Sequence, residues 1–217
     1  MGKNKDIREG VEAELNFDPL VDASDVTVEV LGGDVALNGV VGSYPEYLEA
    51  VTAAQRVNGV RKVHNHLETV LADGNYRDDA LLTTAANNAL ASAVNVPENV
   101  EATAKDGNIT LTGTVSFGTP VAAAASAVTY LYGVRNVKNE IEVWFSADPV
   151  DVTTLVQDAL DRNALVPADS DVAVDTAGSL VNLNGSVRTW AEHDAVVDAV
   201  WRTPGGSEVR DGLVITG

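Results

Sequence analysis

The sequence predicts an α+β protein in which one small unit, with the order helix, strand, strand, helix, strand, occurs three times in tandem. Three observations support this fold class. A seven-residue pattern of alternating apolar positions, with glycine in fifth place, recurs at residues 35–41, 109–115 and 181–187. A second glycine follows each pattern's glycine by twenty residues, and a valine stands four residues further on in every copy. A repeat of about 72 residues therefore organises the chain.

The first half of the unit is a helix followed by two strands. Apolar residues recur at i, i+4 and i+8 from Ile7, which predicts an amphipathic helix over residues 6–17 that Asp18-Pro19 ends. Apolar and polar residues alternate over 26–30, which predicts a half-buried strand. The turn at 32–34 leads into the seven-residue pattern, which is the second strand.

The second half of the unit is a helix followed by a third strand. Ser43 and Glu46 have the spacing of a helix capping box, and Thr189 and Glu192 repeat it in the third unit. Strand, helix, strand crossovers are right-handed, so the third strand is expected to pair parallel to the second. The predicted domains are residues 6–71, 79–145 and 151–217, joined by short polar linkers.

Six glycines recur at two fixed positions. Those on the second strand lie on its core-facing side, where glycine weakens a strand, so close approach of another backbone is expected, namely that of a helix. Those after the second helix are expected to end it in a left-handed conformation. The two sets are Gly39, Gly113 and Gly185, and Gly59, Gly133 and Gly205.

Composition narrows the functions that are compatible with the chain. Its formal charge of −18 at pH 7 repels phosphate polymers and anionic surfaces, so nucleic acid is not an expected partner. It has no cysteine, which excludes disulfides, zinc–thiolate sites and thiol nucleophiles. No apolar run follows the basic residues of the first nine positions, so no secretory signal is predicted. The expected location is the cytoplasm, or the periplasm only if a leader is missing from this sequence.

No constellation of residues identifies a reaction. The G-x-S-x-G, H-E-x-x-H, phosphate-loop and dinucleotide-binding motifs do not occur, so neither enzymatic activity nor a cofactor is expected. His64 and His66 lie two apart on a strand and would suit either a pair of metal ligands or a solvated face. The aligned Lys138 and Glu140 favour the solvated face, so no metal site is predicted. His193 is expected at the surface.

Aromatic side chains are the main candidates for binding. Burial as structural anchors is the alternative for each, because tryptophan usually buries most of its area. Any that is exposed becomes the first candidate for a lipid or protein contact. The candidates are Trp144, Phe145, Trp190 and Trp201.

Both helices of the second unit lack charge. No Asp, Glu, Lys or Arg occurs over residues 80–97 or 117–134. Solvent-facing helix positions normally carry charged residues. We therefore expect this helical layer to be covered by neighbouring units or by a second chain, which would form a homo-oligomer.

The repeated residues resemble the BON domain, the bacterial OsmY and nodulation module. The resemblance rests on V-x-V, then G-x-V-x-L-x-G-x-V, a helix, and G-V-x-x-V-x-N-x-L, which residues 59–67 and 133–141 match closely. The third copy has Gly206 in place of the valine and Asp211 in place of the asparagine. Together the three copies cover nearly the whole chain.

This resemblance implies, for each unit, a sandwich of two helices on one face of a three-stranded mixed sheet, without enzymatic activity. Family members are linked with membranes, phospholipid binding, transport-associated proteins and osmotic stress. We therefore expect a non-catalytic binding and scaffold protein that contacts an unidentified protein partner in a stress- or envelope-associated process. The alternative is a phospholipid-interface binding protein at a membrane surface.

Overall fold

The computed structural model describes residues 2–144, 149–167, 170–177, 180–204 and 208–216. Backbone contacts divide the chain into two compact units. The first comprises residues 1–85, 104–109 and 129–137, and the second comprises 86–103, 110–128 and 138–217. The division passes through the second repeat, so this repeat contributes to both units.

Each repeat contains the five predicted elements in the predicted order. The first repeat consists of α1 (Gly2–Phe17), β1 (Val26–Leu31), β2 (Asp34–Val41), α2 (Tyr44–Gln55) and β3 (Lys62–Thr69). The second consists of α3 (Asp79–Ser92), β4 (Glu101–Lys105), β5 (Asn108–Val115), α4 (Thr119–Thr129) and β6 (Asn136–Val143). The third consists of α5 (Pro149–Asp161), β7 (Asp171–Ala177), β8 (Leu180–Val187), α6 (Trp190–Arg202) and β9 (Glu208–Ile215).

The second strand is central in every sheet, giving the orders β1-β2-β3, β4-β5-β6 and β7-β8-β9. Gly39 pairs with Val26 of β1 in antiparallel register and with Leu67 of β3 in parallel register. Gly185 occupies the same place between β7 and β9. The predicted parallel pairing of the third strand is therefore confirmed, and so is the fold class.

The core of each outer repeat lies between one face of its sheet and its helices. In the first repeat the helical positions Ile7, Val11 and Leu15 pack with Val35 and Leu37 of β2. In the third repeat α5, β8 and α6 supply the equivalent buried cluster. Burying one Val or Leu side chain contributes about 1.5–3 kcal/mol, so the alternation along the central strand fixes which face meets the helices.

The two capping boxes form as predicted. Ser43 accepts a hydrogen bond from the N–H of Glu46 at 3.3 Å, and Glu46 accepts one in return from the N–H of Gly42 at 2.8 Å. At the start of α6, Thr189 accepts from the N–H of Glu192 at 3.1 Å. These bonds satisfy backbone donors that a helix start otherwise leaves unpaired.

The glycines of the central strands have a different neighbour from the one expected. They adopt φ of 128° (Gly39), 143° (Gly113) and 124° (Gly185), in the left-handed region. The backbone that approaches them does not belong to either α-helix of the unit, so that expectation was wrong. It belongs to the first residue of the first strand or to one of the two residues before it, because the chain entering that strand lies directly over the glycine. The approaching groups are the carbonyl oxygens of Asp25, Asn99 and Asp171.

The later glycines do not end the helices directly. Helix α2 ends at Gln55, and Gly59 lies in the following turn with φ of 91°. Its carbonyl packs against Gly33, whose own carbonyl accepts a hydrogen bond from the N–H of Arg61 at 2.8 Å. Gly133 repeats this arrangement in the second repeat with φ of 96°. Gly205 lies outside the described residues.

Within each compact unit, described residues of consecutive repeats are in contact. Tyr44, at the start of α2, is buried and forms a hydrogen bond with the backbone of Val137. Burial raises the pKa of its hydroxyl, although that bond acts in the opposite direction. At the start of α4, the N–H of Gly118 donates to the carbonyl of Trp201 at 3.1 Å.

The uncharged helices of the second repeat retain solvent-facing positions. Asn88 and Ala91 of α3 are exposed, as are Ala122 and Ser126 of α4. Coverage by a second chain therefore stays a prediction.

Candidate binding surface

Three large hydrophobic side chains are exposed at one end of the second repeat. Val94, Phe117 and Trp144 expose 98%, 44% and 74% of their surface. Val94 lies just beyond α3, Phe117 lies between β5 and α4, and Trp144 directly follows β6. We name this group, together with Val96 and Pro97, the apolar end.

Hydrogen bonds hold the three segments of the apolar end together. The N–H of Trp144 donates to the carbonyl of Val115, the last residue of β5, at 2.8 Å. The side-chain amide of Asn99 donates to the carbonyl of Thr114 at 2.5 Å. The loop before β4, the end of β5 and the end of β6 therefore meet at one edge.

A cleft of about 360 Å³ opens within the apolar end. Val94, Val96, Pro97, Phe117 and Pro120 provide its apolar lining. Its size and composition suit an apolar side chain of a partner or part of an acyl chain.

The charged residues that the second repeat contributes around the apolar end are acidic, whereas Asp198 and Arg202 of α6 lie beside Gly118 and Thr119. Glu98 and Glu142 are exposed in the segments that form it. No Lys or Arg occurs in residues 86–103, 110–128 or 139–144. The surface therefore favours an apolar partner segment flanked by basic residues, and it repels anionic headgroups.

The other repeats present a smaller version of the same end. The N–H of Val70 donates to Val41 at 2.9 Å, and that of Thr216 donates to Val187 at 2.9 Å, as Trp144 does to Val115. Val70 and Leu20 are exposed in the first repeat, and Leu165 is exposed in the third. Exposed hydrophobic side chains thus recur at this end, and the second repeat adds a tryptophan there.

In the first repeat an ion cluster crosses from α1 to α2 beside this end. Arg56 lies 2.7 Å from the buried carboxylate of Asp18 and 3.4 Å from Glu14, and it also pairs with Glu49. The hydrogen bond from Arg56 and a backbone hydrogen bond from Leu20 hold the pKa of Asp18 below its ordinary value. These carboxylates in turn raise the pKa of Arg56.

Replacing Arg56 with methionine is expected to destabilise the first repeat in a pH-dependent way. The depressed pKa of Asp18 contributes stability above the ordinary aspartate pKa, and this contribution is lost as the pH falls through the folded-state value. The stability difference between wild type and Arg56→Met should therefore be largest near neutrality and shrink in acid.

Urea unfolding of the full chain as a function of pH measures this difference. Arg202→Met is the matched control, because Arg202 and Asp198 form an exposed pair at 3.5 Å, and such pairs contribute little. A pH-independent loss in Arg56→Met would contradict the role assigned to Asp18.

The structure places the predicted aromatic candidates in different environments. Trp144 is exposed and belongs to the apolar end. Trp190 is partly buried, with its ring 5.0 Å from that of His193 in an edge arrangement. Trp201 is partly buried against Gly118. Phe145 lies outside the described residues.

His193 is not a surface residue, so that expectation was wrong. Only 13% of its side chain is exposed, and its imidazole lies between two carboxylates. Nδ1 is 3.0 Å from Asp194 and Nε2 is 2.7 Å from Asp211. Burial lowers the pKa of His193, but the two carboxylates outweigh it and leave that pKa above its ordinary value. Asp211 could not be recognised in the sequence as a partner of His193, because it lies on strand β9, eighteen residues further along the chain.

His64 and His66 share one face of β3 as expected, with stacked rings 6.5 Å apart. Within the described residues, no three His, Asp or Glu side chains cluster as a metal site would require. In the same part of the chain, no helix combines the length and apolar character needed to span a membrane.

Comparison with known proteins identifies the family. The BON domain model matches residues 3–70, 78–143 and 148–217. The chain belongs to the BON domain family. Its three matches confirm the tandem BON copies expected from the resemblance, and the family is known for phospholipid- and membrane-associated binding. No curated protein matches the chain.

Two solved structures of CdsD, a structural protein of the type III secretion system of Chlamydia trachomatis, are similar to this BON chain. One is 15% identical and covers 97% of this chain and 92% of its own, with a TM-score of 0.27. The other, a C-terminal domain, is 13% identical and covers 98% of both chains, with a TM-score of 0.27. Similarity at this level carries no argument about function.

Proposed function

We propose that this BON chain is a non-catalytic binding and scaffold protein that docks a protein partner on the apolar end of its second repeat. The observation that carries the proposal is the exposure of Val94, Phe117 and Trp144 at one end of the repeat, where Val94 and Phe117 also line a cleft. Soluble proteins rarely leave such a patch uncovered without an interaction to serve. A stress- or envelope-associated process is the proposed setting, on the basis of the family.

The electrostatics define the class of partner. Glu98 and Glu142 edge the patch, and the chain as a whole carries a charge of −18. A partner segment with apolar anchors and flanking Lys or Arg would bury the patch and neutralise its rim. Within such an interface tryptophan commonly contributes a large share of the binding energy.

Phospholipid binding is the second candidate function. It is favoured by the exposure of Trp144, since tryptophan inserts readily at the headgroup level of a bilayer. The net charge of −18 opposes binding to anionic lipid, so this mode would use zwitterionic lipid and aromatic insertion.

A photo-crosslinking residue in place of Val94 tests the proposal in cells. A discrete protein adduct is expected, and adding Trp144→Ser should reduce its yield by about tenfold or more, because a buried tryptophan anchor contributes about 2 kcal/mol or more. The matched control is Tyr132→Ser, which removes another aromatic side chain of similar exposure. Equal adduct yields with Trp144→Ser and Tyr132→Ser would contradict the docking site.

Vesicle co-sedimentation separates the two candidate functions. The purified chain is expected to remain in the supernatant with both anionic and zwitterionic vesicles at physiological salt. Saturable binding that Trp144→Ser abolishes would establish the lipid function instead of protein docking.

A further inference from the structure

The third strand of the first two repeats is tied to the second helix by an asparagine. The amide of Asn65 donates to the carbonyl of Tyr47 at 3.3 Å, and that of Asn139 donates to the carbonyl of Val121 at 3.1 Å. In both repeats the other end of the asparagine accepts a backbone N–H from two residues further on, as Leu67 donates to Asn65 at 3.1 Å. An asparagine can do both because its amide carries a donor and an acceptor.

The third repeat has different residues at both positions of this joint, by which we mean the hydrogen-bonded contact between the second helix and the third strand. Asp211 occupies the asparagine position and still accepts the N–H of Leu213, at 3.0 Å. Its carboxylate cannot donate to the helix carbonyl as the amide does. His193 occupies the position of Tyr47 and Val121, and its Nε2 meets the second oxygen of Asp211 at 2.7 Å. The two substitutions therefore compensate each other chemically.

We infer that the joint between α6 and β9 is a pH-sensitive lock, closed while His193 is protonated and loosened when it loses its proton. Only the joint of the third repeat can titrate, because the amides of Asn65 and Asn139 have no titratable group in the physiological range. The consequence is a change of local stability with pH that is confined to one repeat.

The groups around the imidazole decide the direction of the switch. Asp211 faces it from β9 and Asp194 from its own helix, and these are the charged groups that act on it. The edge of the Trp190 ring provides the remaining contact, at 5.0 Å between ring centroids. Only an imidazolium can donate from both nitrogens at once, so deprotonation removes one donor and the charge together.

The pH window follows from the carboxylates. They place the pKa of His193 in the folded chain above the ordinary value of 6.5. The stabilisation is therefore fully present below pH 6.5 and is lost as the pH rises through the folded-state value. A rise in pH, not a fall, therefore opens the lock.

Opening would affect more than the joint itself. Helix α6 also carries Trp201, whose carbonyl accepts the N–H of Gly118 from the second repeat at 3.1 Å. The helix fastened by His193 is thus the helix that holds the start of α4. Loosening α6 is expected to weaken this junction as well.

An NMR titration of the imidazole signals in the full chain tests the lock directly. The pKa of His193 is expected to lie above the ordinary histidine value of 6.5. Amide exchange, corrected for its intrinsic pH dependence, should accelerate several-fold in α6 and β9 between about pH 6 and about pH 9, while β3 and β6 stay unchanged.

The double variant His193→Val with Asp211→Asn supplies the decisive comparison, because it installs the Val and Asn pair of the second repeat. It should fold and lose the pH dependence of α6 and β9, and His66→Val should retain it. Persistence of the pH dependence in the double variant would overturn the inference. So would titration of His193 at or below pH 6.5, a result that needs no variant to fold.

Discussion

Gly39→Ala is expected to destabilise the first repeat by about 2–5 kcal/mol. A Cβ at this position would overlap the carbonyl oxygen of Asp25, which is backbone and cannot rotate away. Crowding of this kind typically costs about 1–3 kcal/mol. The residue also has φ of 128°, and left-handed backbone adds about 1–2 kcal/mol for a residue with a Cβ.

Gly32→Ala separates the two contributions in the same sheet. Gly32 has φ of 65°, but no atom lies within 4 Å of its ideal Cβ position. Its replacement should therefore show only the backbone cost of about 1–2 kcal/mol. Urea unfolding of the two full-length variants measures the difference, and equal losses would show that Asp25 does not crowd Gly39.

The features that the sequence predicts well are those set by local periodicity. Alternation along residues 35–41 determines which side chains face the helices, and Ile7, Val11 and Leu15 determine the matching helix face. The parallel third strand follows from the handedness of crossover connections rather than from any residue.

The predictions that were wrong concern contacts between segments that are distant in sequence. The recurrence of Gly39 indicates a close backbone, but nothing in the sequence distinguishes Asp25 from a helix as its source. The prediction that His193 lies at the surface did not take Asp211 into account. Asp211 is eighteen residues away and reaches the imidazole only because β9 runs parallel to β8. Arg56 likewise acquires its role from Asp18, thirty-eight residues earlier.

The apolar end could be predicted only in part. Trp144 is identifiable as a candidate because tryptophan is rare and usually buried. Val94 and Phe117 are ordinary apolar residues in loops, and their exposure depends on how those loops leave the sandwich. The lack of charged residues over 80–97 and 117–134 is the other sequence signal that marks this region beforehand.

Gly118→Ser is the substitution expected to affect the junction between the second and third repeats most strongly. Gly118 immediately precedes α4. Serine at such a position normally caps a helix at least as well as glycine, so the change should leave the stability of the helix itself unchanged or slightly higher. It is buried, however, and a Cβ there would overlap the indole ring of Trp201. We therefore expect a loss of about 1–3 kcal/mol and a red shift of the tryptophan emission as the indole is displaced toward water.

Two further variants make this expectation specific to the junction. Gly74→Ser, where no atom lies within 4 Å of the ideal Cβ, should leave both stability and emission unchanged. Trp201→Ala removes the indole but keeps the backbone carbonyl of residue 201, which lies 2.9 Å from the ideal Cβ position of Gly118, so adding Gly118→Ser to it should cost less than adding Gly118→Ser to wild type. Tyr44 begins the corresponding helix of the first repeat and also reaches the following repeat, through Val137. If Gly118→Ser destabilises the chain equally with Trp201 and with Ala at position 201, the indole does not set the spacing between the second and third repeats.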